Sequence, residues 1–397
     1  MLTYEKALTQ ILAQAAILPP VQMPLADALG LVLAEDLVTP HDLPPFDNSS
    51  MDGFAVRHAD LETVPMTLPV SGEIAAGALD IPALLPGQVL RIMTGAPLPV
   101  GADTVVPVED TQAQADGSVT FLEAAELGQH IRRAGEEMRQ GSIVVPNGSR
   151  LRPAEIGMAA TVGHAALLAY PKPRVAVIST GDELVQPGTA LRRGQIYNSN
   201  AYALAAQVEE AGGIVARRLH ARDTPASLRE AFDSCAGTDV LITSGGVSVG
   251  DFDYVKAVFA ERGTVDFWKV AIRPGKPLAF GQWGRTLFFG LPGNPASSMV
   301  TFELFVRPAL RKLAGHSVLT RPEVRAVLTE NAEHTPGRQS YQRAVLAGQP
   351  GGYSVRTTGA QGSGMLSPLV QANALLVLPA DTALFPAGTE VTVLILD

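Results

Sequence analysis

"ITSGGVSVGDFDYV", residues 242–255, places three glycines, two serines and two aspartates between an apolar run and the start of a helix. The run that leads into it, "DVLIT", is short, continuous and apolar, the pattern of a strand buried on both faces. The segment that leaves it, "FDYVKAVFAERG", reads as a helix with a glycine stop. Strand, glycine turn and helix in succession form the unit from which parallel sheets are made. The glycines bring the backbone close to a ligand, and the aspartates argue that the ligand is not a bare anion.

The alternation extends to both sides. "RVAVIS" (174–179), "IVARRL" (214–219) and "TLFFG" (286–290) read as buried strands, separated by the helical segments "NAYALAAQVEEAGG" and "PASLREAFDSCAG". Residues 171–315 are therefore expected to form a parallel α/β domain. In such sheets ligands bind beyond the carboxyl ends of the strands. Four loops reach that rim: Thr180-Gly181-Asp182-Glu183, Asp223, the run Ser244-Gly245-Gly246 continuing through Ser248 to Asp251 and Asp253, and Pro292-Gly293-Asn294-Pro295. Glycine turns and helix starts leave N–H groups free for phosphate oxygens. Carboxylates beside a phosphate call for a divalent cation between them, and Mg²⁺ takes one or two carboxylates plus phosphate oxygens. Taken singly, Asp251 is also a reasonable helix cap and "PGNP" a simple turn.

"FWKVAIRPGKP" adds Lys269, Arg273 and Lys276 just before the last strand. If extended, the segment turns Lys269 and Arg273 to one face, suggesting an anion pocket; a solvated basic strand edge is the plainer reading. "PGKP" lacks the upstream glycine of a phosphate-binding P-loop, and neither G-x-G-x-x-G after a strand nor G-x-S-x-G occurs.

The 397 residues carry 30 basic and 39 acidic side chains, a net charge of −9 that disfavours nucleic acid and anionic lipid as partners. The first segment is amphipathic rather than a secretory signal, and no apolar run reaches membrane-spanning length, so a cytoplasmic protein is expected. The single cysteine, Cys235, continues the apolar helix face Leu228, Ala231, Phe232 and reads as a buried thiol; no disulfide or thiolate zinc site is possible within the chain.

Outside the α/β region the texture changes twice. Residues 1–44 and 132–170 read as one helical linker module, with 1–39 and the passage "RPAEIGMAATVGHAALLAY" taken as helical. Between them, 45–131 breaks into short β-type runs, an inserted β-rich domain bearing Asp47, Asp52, Thr94, Glu136 and Glu137 in its turns and flanks. Residues 316–397 read as a small, barrel-like β domain. The fold class is thus α/β plus β, in several domains.

In this order, "FDNSSMDGFAVR", "RIMTGAPLPVGADTVVPVED", "RRAGEE", "STGDEL", "TSGGVSVGDFD", "FWKVAIRPGKP" and "LPGNPASS" resemble the molybdopterin molybdenumtransferase (MoeA-type) family, whose animal relative is the C-terminal half of gephyrin. The resemblance spans essentially the whole chain. It implies an elongated homodimer with a site shared between subunits. It also implies insertion of molybdate into adenylylated molybdopterin, with Mg²⁺-assisted release of AMP. By the same resemblance Asp52, Thr94, Glu137, Glu183, Lys269 and Arg273 are catalytic, and Asp223, Asp253 and Glu183 hold the metal. Ser244, Gly245, Gly246, Ser248, Pro292, Gly293, Asn294, Pro295, Arg343 and Ser363 would bind the pterin substrate. Glu137 stands where many relatives have aspartate, and Arg273 where lysine is frequent, which keeps the charge but changes the donor's shape. A molybdopterin adenylyltransferase, which would otherwise be a partner, and a gephyrin-like scaffold are the alternative readings.

Overall fold

The computed structural model describes residues 1–245 and 254–396, and the chain divides into two compact units. Gly246, Ser248, Asp251 and Asp253 lie outside the described residues.

One unit comprises residues 24–29 and 35–167. Its centre is a six-stranded sheet formed by β1 (Gly53–Val56), β2 (Met66–Ile74), β3 (Val89–Ile92), β4 (Thr104–Pro107), β5 (Thr111–Ala113) and β6 (Ser118–Phe121), in the order β4-β1-β3-β2-β6-β5. Only β2 and β3 run parallel; the other pairs are antiparallel. Alternating burial along β2 and β6 matches a sheet with one packed face. Phe54 and Phe121 meet edge to face in its core, ring centroids 6.0 Å apart.

The other unit holds residues 1–23, 30–34 and 168–397. Its main sheet is built from β7 (Arg174–Thr180), β8 (Ile214–Ala221), β9 (Val240–Ser244), β10 (Gly263–Lys269), β12 (Pro277–Trp283) and β13 (Thr286–Leu291); β11 (Ile272–Arg273) belongs elsewhere. The order is β8-β7-β9-β13-β12-β10, with the first four strands parallel and the last two antiparallel. All residues of β9 and β13 are buried, because helices cover both faces. On one side pack α1 (Tyr4–Gln14), α2 (Ser199–Glu210), α5 (Pro295–Thr301) and α6 (Arg307–Leu313), and on the other α3 (Pro225–Asp233) and α4 (Tyr254–Arg262). Cys235 is buried just past α3, its thiol donating to the Ala231 carbonyl at 3.1 Å. The parallel α/β domain read from the sequence is present.

Five further strands, β14 (Glu323–Leu328), β15 (Gln339–Gln349), β16 (Gly352–Thr357), β17 (Ala374–Leu378) and β18 (Glu390–Ile395), follow one another as β15-β16-β14-β18-β17. Strand β17 pairs back onto β15 and closes a five-stranded barrel around Leu328, Ala344, Val355, Leu376 and Val393. The short β11 joins the barrel edge through Ile272↔Gln339 and Arg273↔Ser340. Lys269 and Arg273 therefore end up on strands of different sheets, not on one extended face. The intervening Val270 and Ile272 are fully buried in the core between these sheets, so the chain turns where a continuous strand was expected.

The linker segments hold less helix than their periodicity suggests. After α1, Pro19 and Pro20 stop the helix, and Val21–Pro24 and Val32–Leu33 are strands. The helix at Pro153–Thr161 ends at Gly163, whose φ of +84° no continuing helix adopts, and Ala166–Tyr170 is a strand whose Ala169 and Tyr170 pair with Leu33 and Val32.

Phe288 is fully buried between Phe259 and Phe232, at ring distances of 4.1 and 6.2 Å. Chemical denaturation of Phe288→Ala should show a loss of about 3–5 kcal/mol in unfolding free energy.

Candidate functional site

The carboxyl ends of β7, β8, β9 and β13 surround a cavity of about 670 Å³. Thr180, Glu183, Asp223, Ser244, Gly245 and the run Pro292 to Pro295 all line it. Of the described rim residues read from the sequence, all but Asp182 line it. Local backbone demands explain the glycines. Gly245 has φ +98°, and a Cβ there would lie 2.8 Å from both the carbonyl and the hydroxyl oxygen of Thr180. At Gly181, φ +145°, a Cβ would meet the Glu183 carboxylate at 2.6 Å. Pro295 opens α5 at its first turn, where a missing N–H is harmless.

Two asparagines that sequence reasoning passed over hold this rim together. Asn198 caps α2 by accepting from the Ala201 amide, and its NH₂ donates to Ser179 Oγ at 2.6 Å. The NH₂ of Asn200 donates to Ser244 Oγ at 2.8 Å and to the Gly293 carbonyl at 2.7 Å, stitching the β9 and β13 loops together. The signal in the sequence was "NSN" directly before a helix, which reads only as a cap until the facing loops are known.

Charge at the rim is unbalanced. The Asp223 carboxyl is pushed above its usual range by burial, then by the neighbouring charges of Asp182 and Glu183. Among the described residues no three histidine, cysteine or carboxylate groups converge into a ready metal cage. Two carboxylates facing a cavity fit a cation such as Mg²⁺, which is completed by ligand phosphates and water, and the raised Asp223 marks the deficit such a cation would relieve.

A second cavity, of about 940 Å³, lies against the barrel and is lined, among the described residues, by two arginines and a single carboxylate, Glu333. Arg273 and Arg343 both line it. Arg343 is 1% exposed; one terminal nitrogen donates to the carbonyls of Gly362 (3.0 Å) and Ala360 (3.4 Å), and its Nε has no partner. Burial pulls its pKa down and no carboxylate offsets it. A buried guanidinium satisfied only by carbonyls is suited to an anion. The loop 359–364 borders both cavities: Gly359, Gln361 and Gly362 face the arginines, and Gly364 faces the rim. Ser363 locks it to the rim, accepting from the Asn294 side chain at 3.0 Å while its carbonyl accepts from the Ala296 amide at 3.1 Å. Lys269 is exposed at the end of β10 and is not among the residues lining either cavity.

In the other unit, Asp52 accepts two bonds from Thr94, hydroxyl and amide, both at 2.7 Å. Those bonds, the hydroxyl first, lower the pKa of its carboxyl. Glu137 is exposed, with only its backbone engaged, to the Leu43 carbonyl. The structure joins Asp52 to Thr94.

Residues 2–163 match the MoeA N-terminal region (domains I and II), 176–312 a probable molybdopterin-binding domain, and 325–396 the MoeA C-terminal region (domain IV). The chain is 44% identical over 385 residues to molybdopterin molybdenumtransferase 2 of Mycobacterium tuberculosis, covering 94% of each protein. The chain belongs to the molybdopterin molybdenumtransferase (MoeA) family. A second relative, the molybdopterin molybdenumtransferase of Haemophilus influenzae, is 38% identical over 399 residues, covering 99% of this chain and 98% of that one. Among solved structures, a molybdopterin biosynthesis MoeA protein of Pyrococcus horikosii superposes with a TM-score of 0.82 at 31% identity, covering 100% of this chain and 99% of that one. The MoeA match runs through both β-rich ends as well as the α/β centre, so the two cavities fall within family-matched regions.

Asp223→Asn removes a carboxylate that the fold holds against its preference. Because the folded pKa is raised, the ionised group costs stability above that pKa, and the cost disappears below the ordinary 3.8, where both states are protonated. Thermal unfolding should show Asp223→Asn more stable than the parent at neutral pH, with the difference closing as pH falls through the raised pKa toward 3.8.

Proposed function

We propose that this protein, like the relatives named molybdopterin molybdenumtransferase, is such an enzyme, and that it inserts molybdate into adenylylated molybdopterin and releases AMP. The observation that carries the reading is the pair of cavities sharing the 359–364 loop, one suited to phosphate with a cation and the other to an anion. The substrate's pyrophosphate fits the rim, in the cavity bounded by the Gly245 turn and the Pro292–Pro295 run. Asp223 and Glu183 would hold Mg²⁺, which supplies Lewis-acid polarisation of the phosphoanhydride. Asn200 keeps the two phosphate-facing loops at a fixed separation. Arg343 and Arg273 attract molybdate, and Lys269 adds positive potential at the surface. Ser363 and Gly364 hold the boundary across which the oxyanion and the dithiolene must meet.

Asp52, Thr94 and Glu137 complete the site from a second copy of the chain, which makes the working form a homodimer in the cytoplasm. No described helix is long and apolar enough to cross a membrane. An adenylyltransferase role is not favoured, since the relatives named as molybdenumtransferases match the chain over nearly its whole length. A separate adenylyltransferase would instead supply the substrate.

The test is AMP release from adenylylated molybdopterin, measured with and without molybdate and Mg²⁺. Release that requires both is the expected result, and Asp223→Asn should lower it on the order of 100-fold. Arg343→Met should raise the molybdate KM about 10- to 100-fold, the worth of a charge-assisted hydrogen bond. Parent protein that releases no AMP when molybdate is added would rule the reading out.

A further inference from the structure

Behind the rim lies a polar knot that neither cavity includes. Arg321, in the segment between α6 and β14, uses each guanidinium nitrogen on a different element. Its Nε donates to Glu303 at 2.9 Å, one terminal nitrogen to Glu210 at 2.5 Å, and the other to the Leu396 carbonyl at 2.7 Å. Glu303 sits in a π-helical turn, Phe302–Val306, that continues α5; it is 9% exposed and also accepts from the Gln207 side chain at 2.9 Å. Arg307 lies 3.8 Å from the same carboxylate. Burial opposes the charge on Arg321, yet Glu303 and Glu210 outweigh it and raise its pKa.

The elements gripped here are the ones that shape the rim. Helix α2 starts at Asn198 and Asn200 in the cavity wall and ends at Glu210; its 12 residues set the two ends about 18 Å apart. The α5 helix and its π turn start at Asn294 and reach Glu303. Leu396 follows the last barrel strand, β18. A small void of about 160 Å³ beside the knot is lined by Gln207, Glu303 and Arg321 together with Leu369 and Ala372. Leu369 belongs to α7 (Ser367–Gln371), the helix immediately after the loop that divides the two cavities.

We infer that Arg321 is a positioning residue for molybdate transfer: by tying α2, the α5 continuation and the end of β18 to one planar group, it holds the 359–373 segment against the rim. It acts through Ser363 on Asn294 and through Gly362 on Arg343. The inference rests on the molybdenumtransferase reading for its functional consequence, while its structural claim stands by itself. Lysine at 321 keeps the charge but cannot direct donors at three acceptors in one plane. Arg321→Lys should therefore fold and yet loosen this segment.

The experiment compares full-length parent and Arg321→Lys by amide hydrogen exchange and by calorimetric titration with molybdate and, separately, with adenylylated molybdopterin. Exchange in 359–373 should rise about tenfold, with 174–180 unchanged, and molybdate affinity should fall about tenfold, a loss of about 1.4 kcal/mol, with pterin affinity falling less. Unchanged exchange in 359–373, or an equal rise throughout the chain, overturns the inference. Should Arg321→Lys fail to fold, Glu210→Gln takes the charge off one acceptor at the exposed side of the knot. It should give a smaller rise confined to 359–373, and no rise there overturns the inference equally. Parent protein that binds no molybdate defeats the functional reading instead, and the exchange result still decides the role of Arg321.

Discussion

A parallel sheet covered by helices on both faces has no surface left for chemistry except the ends of its strands. That constraint organises this molecule. Strands β9 and β13 are buried throughout, so every polar group that must meet a ligand is displaced to the loops beyond Thr180, Ala221, Ser244 and Leu291. Once four loops are forced onto one rim, burial and then the neighbouring carboxylates raise Asp223, and a glycine is needed at 245 because Thr180 leaves no room for a side chain there. The site is a consequence of the sheet's burial rather than an addition to it.

Charge is separated with the same economy. Negative groups stand at the sheet rim and a buried guanidinium stands at the barrel, with the 359–364 loop between them. Had Arg343 been placed beside Asp223 the two would have neutralised each other, and neither would attract a ligand. Carbonyl oxygens of 360 and 362 satisfy part of the arginine's donor set without cancelling its charge. A metal oxyanion and a cation-bound phosphate make opposite electrostatic demands, and the proposed function assigns one cavity to each.

Much of the α/β rim could be read from the chain because apolar runs and turn residues are local signals. Thr180, Asp223, Ser244 and Asn294 follow directly from where each strand stops. The barrel was visible as a loss of helical spacing after residue 315. What escaped depended on tertiary partners. Ala166–Tyr170 has a helix-compatible composition and becomes a strand only because Val32 and Leu33 lie beside it. Lys269 and Arg273 look like one edge until Val270 and Ile272 are found buried at the junction of two sheets. Asn200 and Arg321 carry no motif at all, and their importance lies wholly in the groups they face across the fold.

The closing of the barrel has a consequence in time. Strand β18 sits between β14 and β17, and the Leu396 carbonyl is one of the three acceptors on Arg321. Arg343, Ala360 and Gly362 all precede the last strand in the chain, and the ring that supports them has a missing stave until Glu390–Ile395 has emerged from the ribosome. Closure of the barrel cavity that Arg343 lines therefore waits for the last strand. Under the proposed function, a chain cut before Glu390 would keep the strands of the rim yet lose the ring beside them.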